Sequence, residues 1–203
     1  MKKYAVLHEP GDIVTLAGTR FVVLDVERRG SLPDSLFLLA LESVGASEFG
    51  SSNNYAESDL KKAVDKWLED MGKRGLDNAM LIPREIDLTT LDGSGCYGKL
   101  SVKAAPLTLD EAREYADIIP NAERWCWLAT GWSGPSKSDG DGALYVFSNG
   151  GWCSNYCSYS RGIRPALKIP SDLLLDSADK PDLSEAPTDT LLEEIRRRVV
   201  DKA

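Results

Sequence analysis

The chain has 203 residues, 42% of them hydrophobic and 8% aromatic, enough to bury a core without help from disulfides or a metal. Its 32 acidic residues outnumber the 24 basic ones, and the formal charge of -8 argues against a nucleic acid partner or an anionic membrane surface. The longest apolar runs, such as Leu36 to Leu41, fall far short of the roughly 20 residues a bilayer span needs. Met1-Lys2-Lys3-Tyr4 leads into His8, Glu9 and Asp12 rather than into an apolar signal core, so the expectation is a soluble protein of the cytoplasm or a virion, with no signal peptide and no membrane insertion.

Ile13-Val14-Thr15-Leu16, a turn at Ala17-Gly18-Thr19 and Phe21 to Val26 read as a hairpin, because β-branched runs flank a glycine-bearing connection. Leu36 to Leu41 supplies a third strand after the turn residues Gly30 and Pro33. Ser58 is placed to cap a helix whose Leu60, Val64, Trp67, Leu68 and Met71 share one face, ending at Gly72. The glycine-rich stretch Leu91 to Gly98 fits neither dinucleotide nor P-loop spacing and reads as a loop. Thr108 and Glu111 form a capping box for a second helix, with Leu109, Ala112, Tyr115, Ala116 and Ile119 in period until Pro120. Strands are expected at Ala143 to Phe147 and Ile163 to Ile169. Residues 1–170 therefore read as one domain, 171–187 as an acidic Pro/Ser-rich linker despite Leu173-Leu174-Leu175, and 188–203 as a helix. In that last helix Leu191, Leu192, Ile195 and Val199 make a narrow apolar stripe, which docks on its own domain or holds a homo-oligomer together.

Candidate chemistry is sparse. The four cysteines read as reduced thiols, Cys153 and Cys157 are too far apart in sequence for a common zinc half-site, and His8 is the single imidazole. A lone histidine near a terminus is usually a surface or strand residue, and no nucleophile elbow accompanies it. Asp139-Gly140-Asp141-Gly142 lacks the later oxygen ligands of a calcium loop and reads as a turn. No metal and no cofactor is assigned. Arg164, set among apolar residues, is either a structural fork paired with a carboxylate or a ligand anchor, with the structural role favoured.

Ser148 to Ser160 carries the functional argument. It contains Gly, Ser, Asn and Cys with Trp152, Tyr156 and Tyr159, and neither an aliphatic nor a charged side chain. Aromatic rings offer large contact area for few frozen torsions and small polar residues offer adaptable hydrogen bonds, the composition of an antibody paratope. An ordinary long loop is the competing reading, since Ser, Asn and Gly dominate turns. The residues expected to bind a protein or glycan ligand are Trp132, Trp152, Ser154, Asn155, Tyr156, Ser158 and Tyr159.

Gly11-Asp12-Ile13-Val14 with Phe21 to Asp25, Trp125-Cys126-Trp127-Leu128-Ala129-Thr130, and Gly162-Ile163-Arg164-Pro165-Ala166-Leu167 together resemble a family of uncharacterised domains from Gram-positive bacteria and their phages. That family is similar to the C-type-lectin-like fold of formylglycine-generating enzymes and of the variable receptor-binding proteins diversified by retroelements. The resemblance implies an α+β fold of mixed and antiparallel sheets. Its first and last strands would pair, two helices would pack on the sheet, and the binding face would lie just before the final Gly-Ile-Arg strand. It also implies a phage or prophage setting, such as a virion or tail protein. Ala129 departs from the arginine usual in the family, and Gly134-Pro135-Ser136 departs from the calcium-dependent sugar motifs of true lectins. The similarity to formylglycine-generating enzymes makes a copper(I) thiol oxidase using Cys153 and Cys157 the enzymatic alternative, although their spacing is one residue shorter than the family pair.

Overall fold

The computed structural model describes residues 2–4, 8–29, 32–135 and 140–177. In chain order the elements are β1 (Lys2–Tyr4), β2 (Ile13–Leu16), β3 (Thr19–Arg29), β4 (Leu32–Ala40), β5 (Ala46–Glu48), a 3-10 turn (Tyr55–Glu57) and α1 (Asp59–Lys73). After these come β6 (Arg84–Asp87), β7 (Lys99–Val102), β8 (Ala104–Ala105), α2 (Leu109–Glu114), β9 (Cys126–Gly131) and β10 (Gly142–Val146). The last are β11 (Trp152–Tyr156), β12 (Ser160–Gly162), β13 (Ala166–Pro170) and β14 (Leu174–Ser177). The architecture is α+β, and the helix proposed for 188–203 lies outside the described residues.

Seven strands form an antiparallel sheet in the order β1-β14-β2-β3-β4-β13-β8. A second sheet runs β11-β10-β9-β12-β5, antiparallel except where β12 meets β9 in parallel at Gly162 and Cys126. β6 and β7 make a separate ribbon. The β2–β3 hairpin closes through Ala17 and Gly18 at φ 47° and 75°, the pair of positive φ angles that a two-residue hairpin turn with the native strand twist demands.

β3 and β4 read as continuous apolar runs because both faces of their sheet are covered. Phe21, Val23, Leu36 and Leu38 enter one core with Leu60, Val64 and Met71 of α1 and with Trp127 and Tyr145 of the second sheet. Val22, Leu24, Phe37 and Leu39 enter the other, with Leu109, Leu128 and Leu144. α1 begins where the sequence places it: Ser58 Oγ accepts from the Lys61 amide at 2.9 Å. α2 also begins as expected, Thr108 Oγ1 accepting from the Glu111 amide at 3.2 Å while Glu111 accepts from the Thr108 amide at 2.8 Å.

Several expectations need correction. α2 ends at Glu114, not at Pro120, because Tyr115 leaves helical geometry and accepts from the amides of both Ile118 and Ile119 in tight turns. Trp152–Tyr156, read as loop, is a strand on the sheet edge, where one ladder of hydrogen bonds suffices and no apolar alternation is required. Leu174–Ser177, read as linker, is a strand between β1 and β2, with Leu175 fully buried in the first core. The first and last described strands do pair, but they are β1 and β14 rather than the runs at 13–16 and 163–169.

Candidate functional site

Four of the five large apolar side chains that stay exposed among the described residues belong to the second sheet and its connections: Trp125 (44%), Trp152 (42%), Tyr156 (60%) and Tyr159 (51%). Clusters of this kind, not isolated exposed rings, mark contact surfaces. β11 holds Trp152 and Tyr156 on the open edge of the sheet, pairing Val146 with Trp152 and Gly142 with Tyr156 on its one partner strand. Among the described residues no strand pairs with the outer edge of β11, the kind of edge that can accept a further strand.

Beyond β11 the chain turns through a Tyr159 amide to Tyr156 carbonyl hydrogen bond of 3.1 Å, which lays the two rings side by side at 6.5 Å and 22°. Arg161 then joins them to the rest of the surface. Its guanidinium carbon lies 5.5 Å from the Tyr159 ring centre, 5.3 Å from Trp125 and 5.2 Å from Tyr145. Trp125 stacks on Tyr145 at 5.6 Å and meets Phe147 edge-on at 5.0 Å. The result is a run of rings wired through one cation, worth about 0.5–1 kcal/mol per exposed cation–π contact in holding the rings in place.

The parallel contact beneath this surface demands close approach. A Cβ at Gly162 would sit 2.8 Å from both Cys126 Sγ and Ser43 Oγ, so only glycine lets β12 lie against β9. Asn53, fully buried, ties the same sheet to the loop before α1: its amide donates to the carbonyls of Ser133 and Gly142 at 2.8 and 2.9 Å and accepts from the Tyr97 hydroxyl at 2.6 Å.

The residues expected at the site divide. Tyr156 and Tyr159 come together, with Ser158 exposed beside them. Ser154 and Asn155 are half-buried on β11, and the Asn155 side chain spends its oxygen on the neighbouring Tyr156 amide. Trp152 stands apart, its ring under the Arg113 guanidinium at 5.3 Å. Trp132 is half-buried, its ring packed against the second core. Trp125, Tyr145 and Arg161 were missed from the sequence. The one signal for them was an arginine immediately following a segment full of rings.

Arg164 is buried, as expected, but its partners are not carboxylates. Nε donates to the Ala40 carbonyl at 2.7 Å and Nη1 to the Pro120 carbonyl at 3.0 Å, while Nη2 is buried with no hydrogen-bond partner. Burial pulls its pKa below the ordinary arginine value. The paired, buried arginine is Arg84, bridged to Glu111 and donating to the Ala105 and Pro106 carbonyls. His8 is also buried, with Nδ1 3.3 Å from Asp12, rather than on the surface.

The two thiols sit in different environments. Cys153 is exposed, whereas Cys157 lies in the first core, where burial first and the Asp141 charge second push its pKa up to about 12. Among the described residues no three His, Cys, Asp or Glu side chains converge as a metal site, and no helix is long and apolar enough to cross a membrane. Comparison with family models, curated proteins and solved structures finds no match to this chain.

Proposed function

We propose that this protein is a non-enzymatic recognition domain of C-type-lectin-like architecture that contacts a protein or glycan ligand through Tyr156, Tyr159 and Trp125 around Arg161. The observation that carries the reading is the continuity of exposed rings on one sheet, held rigid by stacking and by a shared guanidinium. Rigid aromatic anchors supply contact energy at low entropic cost, and binding energy concentrates in a few such residues. The composition of residues 148–160 and its place just before the Gly162-Ile163-Arg164 segment agree with the variable receptor-binding proteins that the sequence resembles. Antiparallel pairing of the first and last described strands and two helices on the sheets favour the architecture. The phage or prophage setting rests on the same resemblance.

The test pairs an unbiased search with a local variant. Ligands selected from a glycan array and from a displayed peptide library should lose at least about ten-fold in affinity against Tyr156→Ala/Tyr159→Ala, since each aromatic anchor is worth on the order of 1–2 kcal/mol. Both side chains are exposed, so the melting temperature should stay in place. Selected ligands that bind the double variant as tightly as the parent would refute this surface as the contact site.

A further inference from the structure

On the face of the second sheet that carries Trp152, a cleft of about 420 Å³ opens between β9–β10 and the segment from α2 to residue 122. Its walls are Leu39, Leu109, Ile119, Leu128 and Val146, with Trp152 among its lining residues. Both of its charged lining residues are arginines, Arg113 and Arg164. In a chain with 32 acidic residues, no carboxylate lines it. Arg113 lies over the Trp152 ring and fixes that side of the cleft. Arg164 is 7% exposed and, among the described residues, has no carboxylate partner and one guanidinium nitrogen without a hydrogen bond. A cation taken out of water in this way is costly unless something neutralises it and completes its hydrogen bonds.

We propose that this cleft is a binding site for a small apolar carboxylic acid, the hydrocarbon body lying against Leu109, Ile119, Leu128 and Val146 and the carboxylate neutralising Arg164. Volume, apolar walls and a few convergent polar groups are the ordinary attributes of a small-molecule site. A monoanion fits better than a dianion. Arg164 carries one positive charge with no carboxylate partner among the described residues, whereas Arg113, the other lining cation, is already paired with Asp110 at 3.4 Å, so a second ligand charge would lack an uncommitted counter-ion. The site lies apart from the Tyr156–Tyr159 surface and does not depend on it.

Calorimetric titration with octanoate, 1-octanol, acetate and octyl phosphate tests each element of the site. Octanoate should bind saturably at one site and raise the melting temperature. Octanol, with the body and no charge, and acetate, with the charge and no body, should each be weaker by about ten-fold or more, the worth of one charge-assisted hydrogen bond or a few buried methylenes. Ala112→Phe, a half-buried α2 residue lining the cleft, should abolish octanoate binding while Arg164 keeps its own bonds. Arg164→Lys, which keeps the charge and loses the fork, should weaken octanoate selectively, leaving octanol unchanged. Tyr156→Ala/Tyr159→Ala should bind octanoate normally, which separates this site from the recognition surface. Equal affinity for octanol and octanoate, tighter binding of octyl phosphate, or octanoate binding undiminished by Ala112→Phe would each overturn the assignment.

Discussion

Side chains in this protein do work that their sequence neighbourhood conceals. Cys153 and Cys157 are four residues apart, yet one faces solvent and the other sits in the core with its thiol pushed up to about 12. The raised pKa means the folded state holds its proton more tightly than the unfolded chain. Its contribution to stability is complete below about pH 9 and is lost as the pH climbs towards about 12. Alkaline urea titrations should show this decline, and Cys157→Ser should make it shallower, the remainder coming from Cys126, Tyr115 and other groups whose pKa values burial also raises; an unchanged slope in that variant would place the alkaline sensitivity wholly in those groups. At pH 8 Cys96 and Cys153 should react with a disulfide reagent promptly, and Cys126 and Cys157 only on unfolding. The sequence shows that the thiols lack a disulfide framework, but not which of them is buried, because that follows from strand register. Arg164 illustrates the same limit. Its apolar neighbours announce burial, whereas its partners, two carbonyls from remote parts of the chain, become visible only in three dimensions.

At the scale of elements, legibility followed the strength of the local code. α1 and the start of α2 were written in their caps, and the β2–β3 hairpin in β-branched runs about a glycine turn. β11 and β12 were not: β11, an edge strand of Ser, Asn, Cys and aromatic residues, shares its composition with loops, and β12, inside the sheet, spans only Ser160-Arg161-Gly162, too short for a periodic signal. β6 escaped notice because Arg84-Glu85-Ile86-Asp87 alternates over only four residues, although Arg84 is one of its inward positions. Glu111 connects that ribbon to α2: the same carboxylate closes the capping box and neutralises the buried Arg84. Thr108→Ala should therefore cost about 1 kcal/mol, the price of a cap. Glu111→Ala should cost about 3 kcal/mol, because it also leaves an uncompensated buried cation. Chemical denaturation of both variants checks the order; equal losses would mean that the bridge to Arg84 contributes nothing.

For the molecule as a whole, the α+β class was legible and the sheet order was not. Strands adjacent in space are often distant in sequence, as in β13 beside β4 and β14 between β1 and β2, and no local pattern encodes such pairing. The segment after Pro170 was misjudged for a related reason: acidic and proline-bearing flanks outweighed a three-leucine run in which the burial of Leu175 depends on strands from the opposite end of the chain. Leu175→Asp distinguishes a strand from a linker. It should lower stability by at least about 3 kcal/mol in urea unfolding, since an unpaired charge would enter the core, and a silent substitution would return the segment to a linker.

The position of β14 also governs how the chain is made. β1 reaches the large sheet only by way of β14, and β2 shares its outer ladder with the same strand. During synthesis the ribosome releases the amino-terminal hairpin long before residue 177 emerges, so a nascent chain carries an open β2 edge until β14 is free to pair with it. Completion of the large sheet consequently waits for β14, and a chain stalled before that strand emerges presents a template for mispairing with its neighbours on a polysome.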